Sequence, residues 1–275
     1  MVIPVLIKPP LDKNKISESD SIILRSLAGR VADLATRPDE ESKRELWYRH
    51  NSLEATRPLV FCDPENGWGE IITPDKLACQ GELARQWEWR LRREIFWAEE
   101  IKDDRVVEAY IDIPHVHSGL EWGLTEKRIG GVGGGAYCWD APIKSEADLE
   151  KLHFPSVQVN ELATQSLAEQ AQDIFGDILK VRLKTSWWWT LGMTQTLAYL
   201  RGLEQLMIDM LESPAFFHRQ MGFLRDGTLA LLDDLSQRGL LSLNCDGTYV
   251  GSGGFGWTHE LPAPDFQGAV RPCDL

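Results

Sequence analysis

Four short apolar runs, separated by long stretches with helical spacing, constrain the fold of this chain more than any other feature. The runs occupy residues 57–62, 106–111, 178–183 and 240–244. Each has the length expected of a buried β-strand. Strands that alternate with helices are typical of a parallel sheet. The pattern therefore predicts an α/β fold, and the long, uneven helices favour a TIM-type (β/α)8 barrel over a doubly wound sheet.

The helical segments have recognisable starts and apolar spacing. Residues 19–21 can cap a first helix, and Asp39 can cap a second. Further helices are predicted over residues 74–100, from 145, and over 160–175, 193–211 and 213–238. We therefore expect an N-terminal arm and helix over residues 1–40. A barrel domain follows over residues 41–275, truncated after four to five strands and incomplete at its C-terminus.

Charge and composition exclude several classes of partner. The chain has 29 Lys and Arg against 42 Asp and Glu, a formal net charge of -13. This field repels phosphate backbones, so we expect no nucleic-acid partner. No apolar run approaches the ~20 residues that span a bilayer, and the first residues make a poor signal peptide. We therefore predict no membrane insertion and a cytoplasmic location. The five cysteines contain no CxxC pair and indicate no disulfide framework.

Polar and aromatic side chains follow each predicted strand. In a barrel, the loops at the carboxyl ends of the strands build the active site. The candidates that this rule selects are Asp63 after the first run, Asp112, His115 and His117 after the second, Trp187 and Trp189 after the third, and Asn244, Asp246 and His259 after the fourth. We expect the catalytic residues to be those after the second run, and the others to bind substrate.

Several roles are open for these side chains. Asp112 is a candidate general acid or base, because burial at a strand end alters how readily a carboxyl group releases its proton; capping the next turn is the alternative. His115 and His117 could supply two metal ligands, with Cys245 or Asp246 as a third. Two histidines near a proline turn are more often surface or hydrogen-bonded residues. The metal ligands are therefore left unknown.

Tryptophans and glycine runs are the remaining unusual features. If residues 186–189 continue the third strand, Trp187 and Trp189 point to one side and could line a flat pocket for a tetrapyrrole, a corrin or an aromatic ring. Packing against helices is the alternative. The glycine runs at residues 130–135 and 251–256 lack the context of a phosphate loop, so we expect lids or tight turns there.

Three parts of the chain carry a family resemblance. They are residues 44–60, the connector PIKSEADLEKL at residues 142–152, and a helical pair at residues 191–235 that includes LAYLRG. In this order and spacing they resemble the uroporphyrinogen decarboxylase-like superfamily, over most of residues 40–275. The resemblance implies a TIM-type barrel that acts on a small-molecule substrate. The reaction is either decarboxylation or methyl transfer to or from a corrinoid protein or a thiol.

The resemblance favours the methyltransferase branch. The haem-pathway decarboxylase carries an arginine-rich motif near its first strand that neutralises substrate carboxylates, and residues 57–64 hold neither arginine of that motif. The resemblance then implies a corrinoid protein as partner, Asp112, His115 and His117 as proton-handling groups, and Trp187 and Trp189 as the pocket wall. It also implies zinc, with ligands that the family places in the last third of the barrel, expected beyond residue 275.

Two other functions stay open. Decarboxylation of a porphyrinogen or another polycarboxylate needs cations, and Arg182, Lys184 and Arg201 are the candidates. Alternatively the chain is catalytically inactive, as a fragment or as a subunit that a partner completes. A sheet that stops early has an open apolar edge, which favours pairing with another chain, for instance in a homodimer.

Overall fold

Helices make up about half of the structure, and the strands are short. This computed structural model describes residues 16–131, 135–250 and 254–275. The chain divides into two compact units: the first contains the segments up to residue 116, 159–189 and 242–275, and the second contains 117–158 and 190–241. The prediction of a mixed α/β fold is confirmed.

The regular elements are named in chain order. They are α1 (Glu18–Ala35), α2 (Pro38–Asn51), α3 (Trp68–Ile71), α4 (Glu82–Phe96), β1 (Tyr110–Ile113), β2 (His117–Ser118), β3 (Lys127–Gly130), β4 (Tyr137–Asp140), β5 (Gln158–Val159), α5 (Glu161–Phe175), β6 (Lys180–Leu183), α6 (Met193–Arg201), α7 (Leu203–Glu212), α8 (Pro214–Gln237), β7 (Tyr249–Val250) and β8 (Gly254–Phe255). A π-helix spans Trp97–Ile101, and single 3-10 turns span Glu65–Gly67, Pro74–Lys76, Glu146–Lys151 and Pro272–Asp274.

The core of the first unit lies on one face of the strand pair β1–β6. These strands run parallel, with Ile111 opposite Val181 and Asp112 opposite Arg182. Because side chains alternate along a strand, Ile111 and Ile113 enter an apolar core that also contains buried residues of α1, α4 and α5. Helices thus cover one face of the pair, and the polar side chains of β1 and β6 lie on the other.

The observed helix starts lie within a few residues of the predicted ones. Ser17, rather than residues 19–21, caps α1 by accepting a hydrogen bond from the Asp20 amide at 3.1 Å. Asn160 caps α5 through the Ala163 amide at 3.0 Å. The helix predicted over residues 193–211 is two helices, because Gly202 has a φ of 90° and separates α6 from α7.

The strand predicted at residues 57–62 is wrong. No strand forms there, and aspartate side chains accept hydrogen bonds from two of its amides. The Val60 amide donates to the Asp104 carboxylate at 2.7 Å, and the Cys62 amide to the Asp103 carboxylate at 2.8 Å. An apolar run predicts burial, but it does not reveal that side-chain acceptors replace the sheet.

Two further strand predictions need correction. The run at 106–111 becomes a strand only from Tyr110, because the Val107 amide donates to Glu40 of α2 at 2.7 Å. Residues 240–244 form no strand, although Leu240 and Leu241 are buried. The run at 178–183 is confirmed as β6.

The helix predicted over residues 74–100 is interrupted, and its main part begins at Glu82. Carboxylates occupy the amides that a longer helix would need. The amides of Ala78 and Cys79 donate to Glu88 at 2.9 and 2.8 Å. The amides of Gln80 and Gly81 donate to buried Asp20 at 3.0 and 3.1 Å. These bonds hold the segment before α4 in an irregular turn.

The second unit is built on α6, α7 and α8. Their apolar faces and Ile143 of the preceding connector form a core; the helical members are Leu197, Leu200, Leu206, Phe216 and Leu224. The connector that begins at residue 145 is a 3-10 turn, with Ser145 and Asp148 forming a capping box, so the predicted start is confirmed. Strands β3 and β4 pair as an antiparallel hairpin.

Each glycine run lies, along the chain, between the two strands of an antiparallel pair that the sequence patterns did not predict. In the first unit β7 pairs with β8, with Tyr249 opposite Phe255. The predicted lids or turns themselves include residues 132–134 and 251–253, which lie outside the described residues. Among the helices described, none is long and apolar enough to cross a membrane.

Candidate functional site

The polar face of the β1–β6 pair, in the first unit, carries several charged side chains. In β1, Tyr110 and Asp112 alternate with the buried Ile111 and Ile113 and therefore lie on one face. Glu108 lies two residues before this strand, between the buried Val107 and the half-buried Ala109. On the neighbouring strand, Arg182 and Lys184 follow the same alternation. We call Glu108, Asp112, Arg182, Lys184 and Asp246 the ion cluster.

Arg182 joins the two strands of the ion cluster. Its Nε and Nη2 donate to the Asp112 carboxylate at 2.6 and 2.9 Å, which is a bidentate ion pair. Its Nη1 donates to Asp246 at 2.9 Å, and its Cζ lies 4.1 Å from the centre of the Tyr110 ring. Burial opposes the charge of Arg182, but the bonds to Asp112 outweigh it and raise the pKa of the guanidinium.

Asp246 is the second anchor of the ion cluster. The Lys184 ammonium donates to its two oxygens at 2.9 and 2.8 Å, and to the Thr248 hydroxyl at 2.6 Å. The Thr248 amide also donates to Asp246 at 2.9 Å. Burial alone would raise the pKa of Asp246, but Lys184, Thr248 and Arg182 lower it overall. This carboxylate is therefore held charged.

Glu108 behaves differently from the other two carboxylates. Unlike Asp112 and Asp246, it forms no ion pair with any described residue. Burial raises the pKa of its carboxyl group to about 7, and the negative charges of Asp246 and Asp112 add to this effect against Arg182 and Arg44. Near neutral pH this group can therefore both accept and donate a proton.

Gly247 brings the backbone close to Glu108. A Cβ at Gly247 would lie 2.2 Å from Glu108 Oε2 and 3.2 Å from the Trp257 ring. The loop after Asp246 therefore covers the carboxyl group only because residue 247 has no side chain. This close cover is a local cause of the burial that raises the pKa of Glu108.

His259 lies against Tyr48 of α2. The two rings stack with centroids 3.9 Å apart and planes 3° from parallel. Burial raises the pKa of Tyr48, and Cys245, Glu108 and Asp246 each raise it further while Arg44 lowers it. The charges of Glu108 and Asp246 thus act on Tyr48. The predicted residue His259 lies beside Tyr48.

The predicted histidines belong to different units. His115 lies directly after β1, where its Nδ1 is 2.8 Å from the Thr185 hydroxyl and its ring stacks on buried Trp187 at 5.6 Å. His117 begins the second unit, and burial lowers the pKa of its imidazole. The role of either residue in proton transfer stays a prediction.

The remaining predicted residues have separate surroundings. Asp63 accepts hydrogen bonds from the Trp68 indole at 2.8 Å and from the Glu65 amide at 2.9 Å. Trp189 meets Tyr249 edge-on at 5.0 Å. The backbone carbonyl oxygen of Asn244 lies close to Gly256: a Cβ added at this glycine would be 1.7 Å from that oxygen. A shared pocket wall of Trp187 and Trp189 stays a prediction.

Glu108, Lys184 and Thr248 complete the site but were not among the predicted site residues. Lys184 and Arg182 entered the sequence analysis only as candidate cations. The alternation of Glu108, Tyr110 and Asp112 is a signal that could have found Glu108. Thr248 gave no signal, because its role depends on the loop that returns Asp246 to the strands.

The described part of the chain does not fit a resident zinc ion. Residues 16–131, 135–250 and 254–275 contain no group of three or more His, Cys, Asp or Glu side chains placed to hold a metal. Asp246, one of the suggested ligands, is occupied by Lys184 and Arg182.

Comparison with known proteins adds no assignment. No family model, no curated protein and no solved structure matches this chain.

Proposed function

We propose that this chain is a methyltransferase of the uroporphyrinogen decarboxylase-like type, with a TIM-type barrel, that acts with a corrinoid protein. In this proposal Glu108 moves the proton. The observation that carries it is the Glu108 carboxyl group, which has a pKa of about 7, lies two residues before the parallel strand pair and is influenced by two ion-paired carboxylates. Strongly shifted carboxyl groups of this kind are candidates for acid–base catalysis.

The strand pair also supports the barrel part of the proposal. In a barrel of this type, helices cover the outer face of parallel strands, and site residues come from the strands and the loops that follow them. Buried helices lie on the Ile111 face of β1, and the ion cluster lies on the other face. Lys184 follows β6 directly, as a residue at a barrel's carboxyl end would.

Methyl transfer requires a proton to move together with the methyl group. A thiol that accepts a methyl group loses its S–H proton, and an ether oxygen that gives one up gains a proton as its C–O bond breaks. Glu108 can accept the proton in the first case and supply it in the second, because a group with a pKa near ambient pH does both. The corrinoid of the partner protein would supply or receive the methyl group.

Decarboxylation of a polycarboxylate is less well supported, because the candidate cations already have anionic partners. Arg182 pairs with Asp112 and Asp246, and Lys184 pairs with Asp246. In the second unit Arg201 is bidentate to Asp209 at 2.6 and 2.9 Å. A polycarboxylate substrate would have to displace these carboxylates.

A corrinoid assay tests the proposal. Methyl transfer from methylcobalamin to a panel of thiols, and from methyl ethers to reduced cobalamin, would be followed by corrinoid absorbance. We expect an inflection of the rate near pH 7, where Glu108 titrates. Glu108→Gln should lower the rate about 100-fold or more, as loss of a general acid–base does. Glu54→Gln, which removes an exposed carboxylate of the first unit, should leave it unchanged.

The outcomes separate the candidate functions. No methyl transfer with any corrinoid, thiol or ether would sink the proposal, as would a Glu108→Gln protein that is as active as Glu54→Gln. Release of CO2 from a porphyrinogen would favour the decarboxylase in its place. A folded chain inactive in both assays would favour a catalytically inactive subunit.

A further inference from the structure

Three arginines gather around one carboxylate in the first unit. The Arg105 Nη2 lies 2.6 Å from Glu94 Oε2, and the Arg93 Nη2 lies 3.9 Å from Glu94 Oε1. Arg90 is close enough for its charge to act on both Arg93 and Glu94. We call these four residues the arginine cluster. It contains three positive charges and one negative charge, so it has an excess of positive charge in a chain with a net charge of -13.

Two guanidinium nitrogens in the arginine cluster lack an acceptor. Arg93 Nε and Arg105 Nη1 are buried and have no hydrogen-bond partner among the described residues. Buried donors without a partner are costly, since they give up water and gain nothing. The charge of Asp63 also acts on Arg93, but no ion pair joins Asp63 to Arg93 or Arg105 among the described residues.

Each of the two guanidinium groups lies over the face of a tryptophan ring. The Cζ of Arg93 lies 5.1 Å from the centre of the Trp89 ring, and that of Arg105 lies 4.5 Å from the Trp97 ring. Stacking on an indole fixes the plane of a guanidinium group and leaves its in-plane N–H groups for an oxyanion. The arginines are therefore oriented before any ligand arrives.

Solvent still reaches the arginine cluster. The side chains of Arg93 and Arg105 keep 23% and 17% of their full exposure. Burial lowers the pKa of Arg93, and repulsion by Arg105 and Arg90 adds to this against the attraction of Glu94. An anion bound at the accessible part of the arginine cluster would relieve this repulsion.

We propose that Arg93 and Arg105, with Arg90 beside them, bind the oxyanion of a small molecule, either a carboxylate or a phosphate. Glu94 holds the arginines in place without a ligand and competes with it for them. Arg90 also donates to the backbone carbonyl of Asp112 at 2.5 Å, so the arginine cluster adjoins the ion cluster within the same unit. The oxyanion site exists whichever reaction the ion cluster performs.

Opposite effects of two neighbouring substitutions test this site. Calorimetric titration with inorganic phosphate and, separately, with acetate, at ionic strength held constant with chloride, should show saturable binding to the wild-type chain. Arg93→Gln should weaken it about tenfold or more, because a charge-assisted pair is lost. Glu94→Gln should tighten it, because the competing carboxylate is gone. Arg30→Gln, which removes an exposed arginine of α1, is the matched control and should bind like the wild type.

Binding and folding are separated by a second readout. Ligand-induced shifts of the thermal midpoint are recorded for each variant. If Arg93→Gln does not fold, Arg93→Lys replaces it. This variant keeps the charge but loses the planar guanidinium group, so it should weaken binding severalfold. Absence of saturable binding by both anions overturns the site, and so does unchanged binding by Arg93→Gln or Arg93→Lys. Stronger binding of phosphate or of acetate identifies which oxyanion the site takes. Neither readout depends on methyl transfer, so this result and that of the corrinoid assay are independent.

Discussion

The ion cluster of the first unit and the Arg201–Asp209 pair of the second unit use the same residue types to different ends. In the second unit Arg201 donates twice to Asp209 and once to the Ile143 carbonyl at 3.0 Å, while Gln205 donates to Asp209 at 2.9 Å. The side chains of Arg201 and Asp209 are 9% and 4% exposed. Each charge is paired, and the hydrogen bonds that Arg201 donates lower the pKa of Asp209.

The ion cluster contains three carboxyl groups, and its arginine and lysine form ion pairs with only two of them. Arg182 and Lys184 satisfy Asp112 and Asp246, and Glu108 is left with a pKa of about 7. A closed pair stabilises a fold and cannot exchange protons near neutral pH, whereas the extra carboxyl group can. The carboxyl group without an ion-pair partner, rather than the paired charges, is therefore the candidate for proton transfer.

The largest expected effect breaks the closed pair. Asp209→Ala leaves the buried Arg201 guanidinium without its partner, so we expect the free energy of unfolding to fall by about 3–5 kcal/mol. Urea unfolding followed by circular dichroism measures this. Asp234→Ala, which removes an exposed ion-pair partner of Arg238, should cost less than about 1 kcal/mol. Equal losses in the two variants would show that the closed pair has no special structural role.

The second effect concerns the extra carboxyl group and has a defined sign. The folded chain holds the Glu108 proton more tightly than the unfolded chain, because the pKa is about 7 rather than 4.5. This contribution is fully present below pH 4.5 and is lost as pH rises to 7. Relative to Glu108→Gln, the wild type should therefore lose at most about 3 kcal/mol of unfolding free energy across that range.

Urea unfolding at several pH values measures this difference, with Glu54→Gln as the control. That variant should follow the wild-type profile, because Glu54 is exposed. If the stability of the wild type changes with pH in parallel with that of Glu108→Gln, Glu108 has an ordinary pKa. The proposed role of Glu108 in proton transfer would then be wrong.

Local signals predicted elements that have a clear cap or an apolar run of strand length. The cap at Asn160 and the apolar spacing after it located α5, and the run at residues 178–183 located β6. The run at residues 57–62 misled, because its acceptors are the side chains of Asp103 and Asp104, which strand propensity does not report.

The candidate site was predictable where strand ends identify it and not where distant loops complete it. The rule for strand ends selected Asp112, which lies within β1, and Asp246, although the strand predicted before Asp246 does not form. The structure joins both carboxylates to Arg182. The rule missed Glu108, because the pKa of this residue depends on burial under Gly247 and on the charge of Asp246, which follow it far along the chain. Such contacts exist only after folding.

The third effect tests the cover over Glu108. In Gly247→Ala the new Cβ would lie 2.2 Å from Glu108 Oε2, so the loop or the carboxyl group must move. We expect a loss of about 1–3 kcal/mol of unfolding free energy, and a weaker dependence of stability on pH than in the wild type. Gly29→Ala on α1, where nothing lies within 4 Å of the added carbon, should instead be neutral or stabilising. A pH dependence as steep as in the wild type would separate the pKa of Glu108 from its cover.

The smallest effect concerns the support of the paired carboxylate. Thr248→Val keeps the shape of the side chain and removes the hydroxyl that accepts from Lys184 at 2.6 Å and also bonds Asp246. We expect a loss of about 1 kcal/mol of unfolding free energy, measured by urea unfolding at neutral pH. Thr258→Val, whose exposed hydroxyl accepts only from the Glu260 amide, is the control. If Thr248→Val matches this control, Lys184, Arg182 and the Thr248 amide hold Asp246 without help from the hydroxyl. The ion cluster would then resemble the closed pair of the second unit in all but Glu108.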